Sequence, residues 1–321
     1  MFKIIFMENL FFSINAVVPL FILITAGYIA RQINFVSDNF LKEANRFVFR
    51  FLLPLMLFQN IRSTFHGNID HVRLMLSALS GVAVIILISF LVVPLFVKSN
   101  ARRGSMIQGI YRSNFLIYGM PLASGMYGQE AASIISMVMG IIIPFYNIAA
   151  VIILSVYSET RKEPVSFLLL VKDVFKNPLI QGCIAGMCFG SLGIGLPVVI
   201  DKPVSELAGA ASPLALFLMG GEFKFRSLSN NLKLVLSATV SRLLVIPAIA
   251  VIIFILMGFR TIELSVLLCI FATPTAVSSY IMSQNMGCDG ELSAQIVVLT
   301  TVASSLTIFI FVYVLRAIGV L

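Results

Sequence analysis

The stretch Y-R-S-N-F-L-I-Y-G-M-P, residues 111–121, sets Arg112, Ser113 and Asn114 side by side inside an otherwise apolar run. A second run, F-A-T-P-T-A-V-S-S-Y at 271–280, carries Thr273, Pro274 and Thr275 at a matching depth. A mid-run proline removes one backbone donor and clashes with the preceding turn. The bilayer interior tolerates freed backbone groups only where protein or a water-filled cavity satisfies them. Both runs therefore read as broken membrane helices.

The rest of the chain supports a membrane setting. Of 321 residues, 59% are hydrophobic and 11% charged, and the mean hydropathy is +1.03. Soluble domains are far more polar. Apolar stretches of about 20 residues, enough to cross ~30 Å of hydrocarbon as helix, recur without a soluble domain between them. Ten spans are predicted, near 9–31, 37–60, 72–97, 105–127, 130–156, 176–199, 204–222, 231–258, 262–287 and 290–318. The opening M-F-K-I-I-F-M-E-N has one lysine and no small-residue cleavage site, so the first span is expected to be retained.

A net charge of +8 speaks here to orientation rather than to nucleic acid, for which no role is expected. Fourteen lysines and arginines fall in the loops and helix ends of one side, six fall on the other, and Arg112 and Arg242 lie within spans. The positive-inside rule puts the fourteen in the cytoplasm and both termini outside the cell membrane. Cys183, Cys188, Cys269 and Cys288 show no C-x-x-C spacing and read as packing residues; His66 and His71 share an outward loop and read as solvated. No cofactor or metal is implied.

The two halves match at a shift of about 159 residues. P-L-F-I-L-I-T-A-G (19–27) lies against P-L-I-Q-G-C-I-A-G (178–186), and P-L-M-L-F (54–58) against P-L-A-L-F (213–217). L-S-A (76–78) meets L-S-A (236–238) at a shift of 160, and Gly128 aligns with Gly287. Residues 1–157 form a first five-helix unit, 158–175 a cytoplasmic linker with an amphipathic middle, and 176–321 a second unit. Because five is odd, the second unit is inverted, as in secondary transporters. A shift of 159 to 161 sets the 112–114 triplet opposite 273–275, so the two breaks should cross near the midplane. Two half-helix N-termini would then point at one place and favour an anion. Gly125 and Gly128 read as permitting close helix packing.

All fourteen acidic residues lie in loops or near span ends, so Arg112 and Arg242 have no carboxylate partner at depth. A charge at a helix centre costs roughly 2.5–3.5 kcal/mol even on the lenient insertion scale. An anionic substrate would compensate, held bidentately by the planar guanidinium. The alternatives are that Arg112 snorkels to the cytoplasmic face and that Arg242 binds backbone carbonyls of a neighbouring helix. Asn114, Thr273 and Thr275 offer neutral hydrogen bonds at the breaks. I-I-I-P-F-Y-N (141–147) adds Tyr146 and Asn147 at mid-depth.

S-N-F-L-I-Y-G-M-P-L-A-S-G-M-Y-G (113–128), A-T-P-T-A-V-S-S-Y (272–280), N-M-G-C-D (285–289) and P-L-A-L-F-L-M-G (213–220) resemble the auxin efflux carrier family, in its bacterial branch. The resemblance covers essentially the whole chain. It implies an all-α fold of ten helices with crossing helices 4 and 9, a scaffold of helices 1, 2, 6 and 7, and a moving unit of helices 3–5 and 8–10. It also implies a homodimer that carries a small organic anion, such as a mono- or dicarboxylate, by elevator-like alternation of access. Ser113 and Asn114 take the first crossover position, Pro274 and Thr275 the second. Many members have proline where this chain has Ser113, so the first break is expected to unwind less sharply. The competing readings are a membrane-embedded enzyme and a sensor on a transporter fold. The clustered carboxylates or His/Cys/Asp groups of an enzyme do not appear in the sequence.

Overall fold

The computed structural model of the protein describes residues 18–65, 71–161 and 166–321. The start of the first predicted span and His66 lie outside these residues. The first helix, α1 (Val18–Gln32), leads into α2 (Asp38–Phe47), whose N-cap Ser37 accepts from the Phe40 N–H at 3.1 Å. A π turn at Val48–Leu52 passes directly into α3 (Leu53–Thr64). Next come α4 (Val72–Phe96) and α5 (Asn100–Tyr111), the latter capped by Ser99. After a break, a π turn at Phe115–Gly119 opens α6 (Met120–Val156).

The linker helix α7 (Phe167–Lys176) buries none of its residues, and Phe167, Leu168 and Phe175 stand exposed along it. Asn177 caps α8 (Pro178–Ser191), with proline at the first position where its missing N–H is harmless. Then follow α9 (Val198–Glu222), α10 (Phe225–Val240), a π turn at Ser241–Val245, and α11 (Ile246–Leu256). The chain closes with α12 (Thr261–Ala272), a second break, α13 (Ser278–Asn285) and α14 (Gly290–Ala317), the last capped by Asp289. Among the described residues the structure is all helix, and the one extended pairing is an isolated bridge between Ser113 and Thr275.

Five helical runs are long and apolar enough to cross a membrane: Val72–Phe96, Phe115–Val156, Val198–Glu222, Ser227–Leu256 and Gly290–Ala317. Val18–Gln32, Pro178–Ser191 and Thr261–Ala272 are shorter apolar helices. The 42-residue run Phe115–Val156 would be about 63 Å long at 1.5 Å per residue, twice a ~30 Å hydrocarbon core. It changes direction at Gly128, where φ is 67° and ψ −149°. This corrects the packing role expected of Gly125 and Gly128. A Cβ at either would meet nothing within 4 Å; Gly128 serves the turn through its left-handed backbone.

Close helix approach lies elsewhere. On α8, Gly182, Gly186 and Gly190 recur every four residues and press against the carbonyls of Pro54, Phe58 and Phe65, the one at Gly186 sitting 2.8 Å from where a Cβ would be. Gly27 of α1 presses in the same way on the Phe217 carbonyl of α9. Such small-residue stripes bring backbones into van der Waals contact where lipid offers no hydrophobic drive.

Polar contacts gather at two ends of the bundle. At one end Arg31 pairs with Asp38 at 2.6 Å, Glu159 accepts from Ser99 at 3.1 Å, and Asn45 meets Asn285. At the other, Arg62 pairs with Asp201, His71 with Glu263 at 3.3 Å, and the Thr261 N–H with the Val320 carbonyl at 2.9 Å.

Replacing Gly186 by valine forces a branched side chain into the α3 backbone and is expected to cost about 3 kcal/mol. Gly125→Ala, facing open space, should change stability by no more than about 1 kcal/mol, in the stabilising direction. Unfolding of the purified variants in detergent measures both.

Candidate functional site at the helix crossover

Pro274 disfavours the helical conformation of the residue before it. Thr273 accordingly turns extended (φ −75°, ψ 156°) and α12 stops. No proline stands in the other break, yet Arg112 is extended as well (φ −83°, ψ 108°). The two segments run antiparallel. The Asn114 N–H donates to the Pro274 carbonyl at 2.8 Å, and the Ala276 N–H donates to the Arg112 carbonyl at 3.2 Å. This pairing asks only for the carbonyl of Pro274, so its missing donor costs nothing there. The first break is thus held open by the second, and Ser113 in place of proline does not prevent it.

Helices α5 and α12 both end at this crossing, leaving carbonyls without intrahelical partners. Arg242, fully buried on the π turn Ser241–Val245, reaches four carbonyls at these ends. Its Nε donates to the Thr273 carbonyl and its Nη2 to the Ile270 carbonyl, each at 2.9 Å. Its Nη1 donates to the Tyr111 and Ile110 carbonyls at 3.2 and 3.4 Å. A cation therefore sits on two converging helix C-termini, where the macrodipoles are negative. Thr275 adds a tie, donating its hydroxyl to the Gly109 carbonyl at 2.6 Å and accepting at none of the cavity groups; its N–H donates to the Thr300 hydroxyl at 3.2 Å. Thr273 donates to the Cys269 carbonyl of its own helix at 2.8 Å.

On the other side of the crossing lies a cavity of about 60 Å³, room for roughly four waters at ~15 Å³ each. Arg112, Ser113, Asn114 and the first residues of the π turn, Phe115–Ile117, form one wall; Ala276, Val277 and Ser278 form the second. Tyr146 and Asn147 of α6 complete the polar lining. Of the residues singled out from sequence, five therefore border the cavity. Thr273, Pro274, Thr275 and Arg242 do not border it; they are engaged with backbone behind it.

Arg112 is 4% exposed. Its Nη2 donates to Asn147 Oδ1 at 2.9 Å and its Nη1 to the Met282 sulfur at 2.8 Å. The Gln108 amide, turned to suit its neighbours, presents its oxygen to Nη1 at 3.3 Å and donates to Ser283 Oγ at 3.2 Å. No carboxylate pairs with Arg112 among the described residues. Burial rules out the snorkelling alternative in this conformation. Asn114 Nδ2 is buried without a hydrogen-bond partner, and Ser113 Oγ lies 3.1 Å from the Tyr146 hydroxyl.

Sequence reasoning missed Gln108 and Met282, one turn away from the breaks on each side. It also missed the wall opposite the crossover: Leu53, Met56 and Leu57 of α3, with Ser212 and Ala215 of α9. A signal for that wall was present, since P-L-M-L-F and P-L-A-L-F are the matched pair of the repeat.

The profile of a family described as "Membrane transport protein" matches residues 12–312. The chain belongs to that family, the auxin efflux carriers. The transporter is 22% identical over 305 residues to a Rhizobium meliloti protein named "Putative malonate transporter", covering 94% of this chain and 95% of the relative. It is 24% identical over 307 residues to "Uncharacterized transporter MJ1031" of Methanocaldococcus jannaschii, covering 94% and 98%. A 138-residue part, 41% of the chain, is 30% identical to 37% of "Auxin efflux carrier component 8" of Arabidopsis thaliana. The protein is thus a multi-pass membrane transporter and not an enzyme.

Arg242→Met leaves four buried carbonyls without donors and is expected to destabilise the transporter by about 3 kcal/mol or more. Arg242→Lys, with three donors and no planar fork, should fall between. Thermal unfolding in detergent orders the three proteins.

Proposed function

We propose that the protein is a secondary transporter of a small organic anion, a mono- or dicarboxylate, moved by elevator-like alternating access. The observation that carries this is Arg112: a buried guanidinium, without a carboxylate partner among the described residues, on the wall of a cavity bordered also by Asn114, whose amide nitrogen has no partner among them. The N-terminal ends of the π turn at Phe115 and of α13 border the same space, and each brings the positive end of its helix dipole to it. Charge, donors and dipoles all favour a carboxylate there. Asn147 orients the guanidinium, and Ser113 and Tyr146 supply hydroxyls beside it. Thr273, Pro274, Thr275 and Arg242 act from behind, holding the two breaks in register.

Ten passes in two inverted units, 1–157 and 176–321 about a cytoplasmic linker, accommodate these features. Gly128 and Gly287, 159 residues apart, both take positive φ, at 67° and 75°. Gly27 presses on the Phe217 carbonyl and Gly186 on the Phe58 carbonyl, contacts that the same shift interchanges. In this reading α1, α2–α3, α8 and α9 are the scaffold and the other membrane helices move. The cavity lies on the seam between them, with α3 and α9 forming its scaffold wall. The site is contracted, and a larger substrate needs that seam to open. With the basic end in the cytoplasm, both termini face outward across the cell membrane. A negative cytoplasm then favours anion export by ~2.3 kcal/mol per charge per 100 mV. A homodimer would form through the scaffold. The resemblance in name to a malonate carrier points to the same substrate class.

The test is a thermal-shift and flux screen of reconstituted protein against mono- and dicarboxylates. A carboxylate should stabilise and be moved by the parent, and Arg112→Ala and Asn114→Ala should each weaken the response by about tenfold or more. Variants that respond like the parent would falsify this site; a screen in which all carboxylates fail and a cation is moved would exclude the anion.

A further inference from the structure

The Arg112 fork raises a question of access, because one of its two terminal nitrogens is occupied by a thioether. A neutral sulfur is a weak acceptor, whereas a carboxylate makes a charge-assisted and bidentate bond to the same edge. Resting on the anion reading, we propose that Met282 holds the substrate's place on Arg112 and plugs the site's route to the basic end of the protein.

Three side chains four residues apart, two on α13 and one at its C-cap, mark the route. Ser278 borders the central cavity, and Met286 borders an open cleft of about 530 Å³ at the basic end. Met282, fully buried, stands between them. Each step is about 6 Å of helix, so a single side-chain layer separates the two spaces on this face. The facing elements repeat the arrangement. Phe49 lines the cleft and Leu53 the cavity, on and just past the π turn Val48–Leu52; on α6, Ser155 lines the cleft and Asn147 the cavity.

The plug has the chemistry to yield. Methionine is unbranched, with three rotatable bonds, and changes place in a core at low cost. A π turn, a frequent mark of functional sites in helices, packs against α13. The cleft is lined by Lys176 and by Arg161, which pairs with Asp173 at 2.8 Å, leaving an excess positive charge to draw an anion in. An arriving carboxylate takes the edge of Arg112 that Met282 now covers, exchanging a weak sulfur acceptor for a charged one while Asn147 keeps its hold on Nη2. Access is thereby conditional on the ligand: a neutral solute has nothing to offer Arg112 in exchange for Met282.

The experiment uses a negatively charged thiol reagent on the full-length protein carrying Ser212→Cys, a reporter on the scaffold wall of the cavity. Labelling at residue 212 is read by peptide mass spectrometry, so native cysteines do not interfere, in vesicles of both orientations and without substrate. Adding Met282→Ala should speed labelling from the cytoplasmic face by about tenfold or more, with little change from the opposite face. Met282→Leu, which refills the layer, should label like the reporter alone. Unchanged labelling in Met282→Ala, or equal acceleration from both faces, overturns the plug. A second variant, Met282→Glu, hangs a carboxylate beside Arg112. It should retain the parent's thermal stability and lose its response to added carboxylates; a parent-like response overturns the placeholder role. Because the labelling needs no substrate, one-sided acceleration in a protein that answers to no carboxylate supports the plug while refuting the anion reading.

Discussion

A chain that breaks two helices inside lipid has to find partners for the backbone groups it frees, because no water is there to take them. At the crossover the two breaks solve this for each other. One segment is opened by proline, the other by pairing with it; Arg242 satisfies four of the carbonyls the helix ends leave exposed, and Thr273 and Thr275 take two more. A buried cation among four carbonyls is better placed than one left alone, and the carbonyls are better placed for having it. The two liabilities, a deep charge and two frayed helix ends, cancel.

This arrangement also sorts the electrostatics. The negative C-terminal ends of α5 and α12 face Arg242, so the positive N-terminal ends that follow each break are left to face the cavity. Arg112 adds to that positive side, and no protein carboxylate answers it among the described residues. The two buried arginines, chemically identical, differ in what surrounds them: one is saturated by backbone carbonyls, the other is met by two side-chain amides and a thioether. That contrast separates a structural cation from one with capacity to spare.

Stiffness is distributed in the same way. Glycines let α8 lie on α3 and α1 on α9 with backbone in contact, which leaves little freedom to shear. Across the cavity, the same α3 and α9 meet the crossover through Leu53, Met56, Leu57, Ala215 and the single hydroxyl of Ser212, which donates to Met56. The wall facing the crossover is thus mostly apolar and carried by closely packed helices.

The sequence alone determined the membrane setting and the two breaks. Hydropathy follows from composition, Pro274 stops a helix through its own ring, and a charge in an apolar run needs an answer wherever it lies. Arg112, Ser113, Asn114, Tyr146 and Asn147 were legible as cavity residues for those reasons. Only the tertiary structure decided which arginine serves backbone carbonyls and which borders the cavity. Arg242 lies far along the chain from the carbonyls it serves, and its alternatives differ by contacts that no local pattern encodes. The same holds for Met282 and for the glycines of α8: a methionine or a glycine in an apolar helix looks alike everywhere until the fold sets a guanidinium or a neighbouring backbone against it.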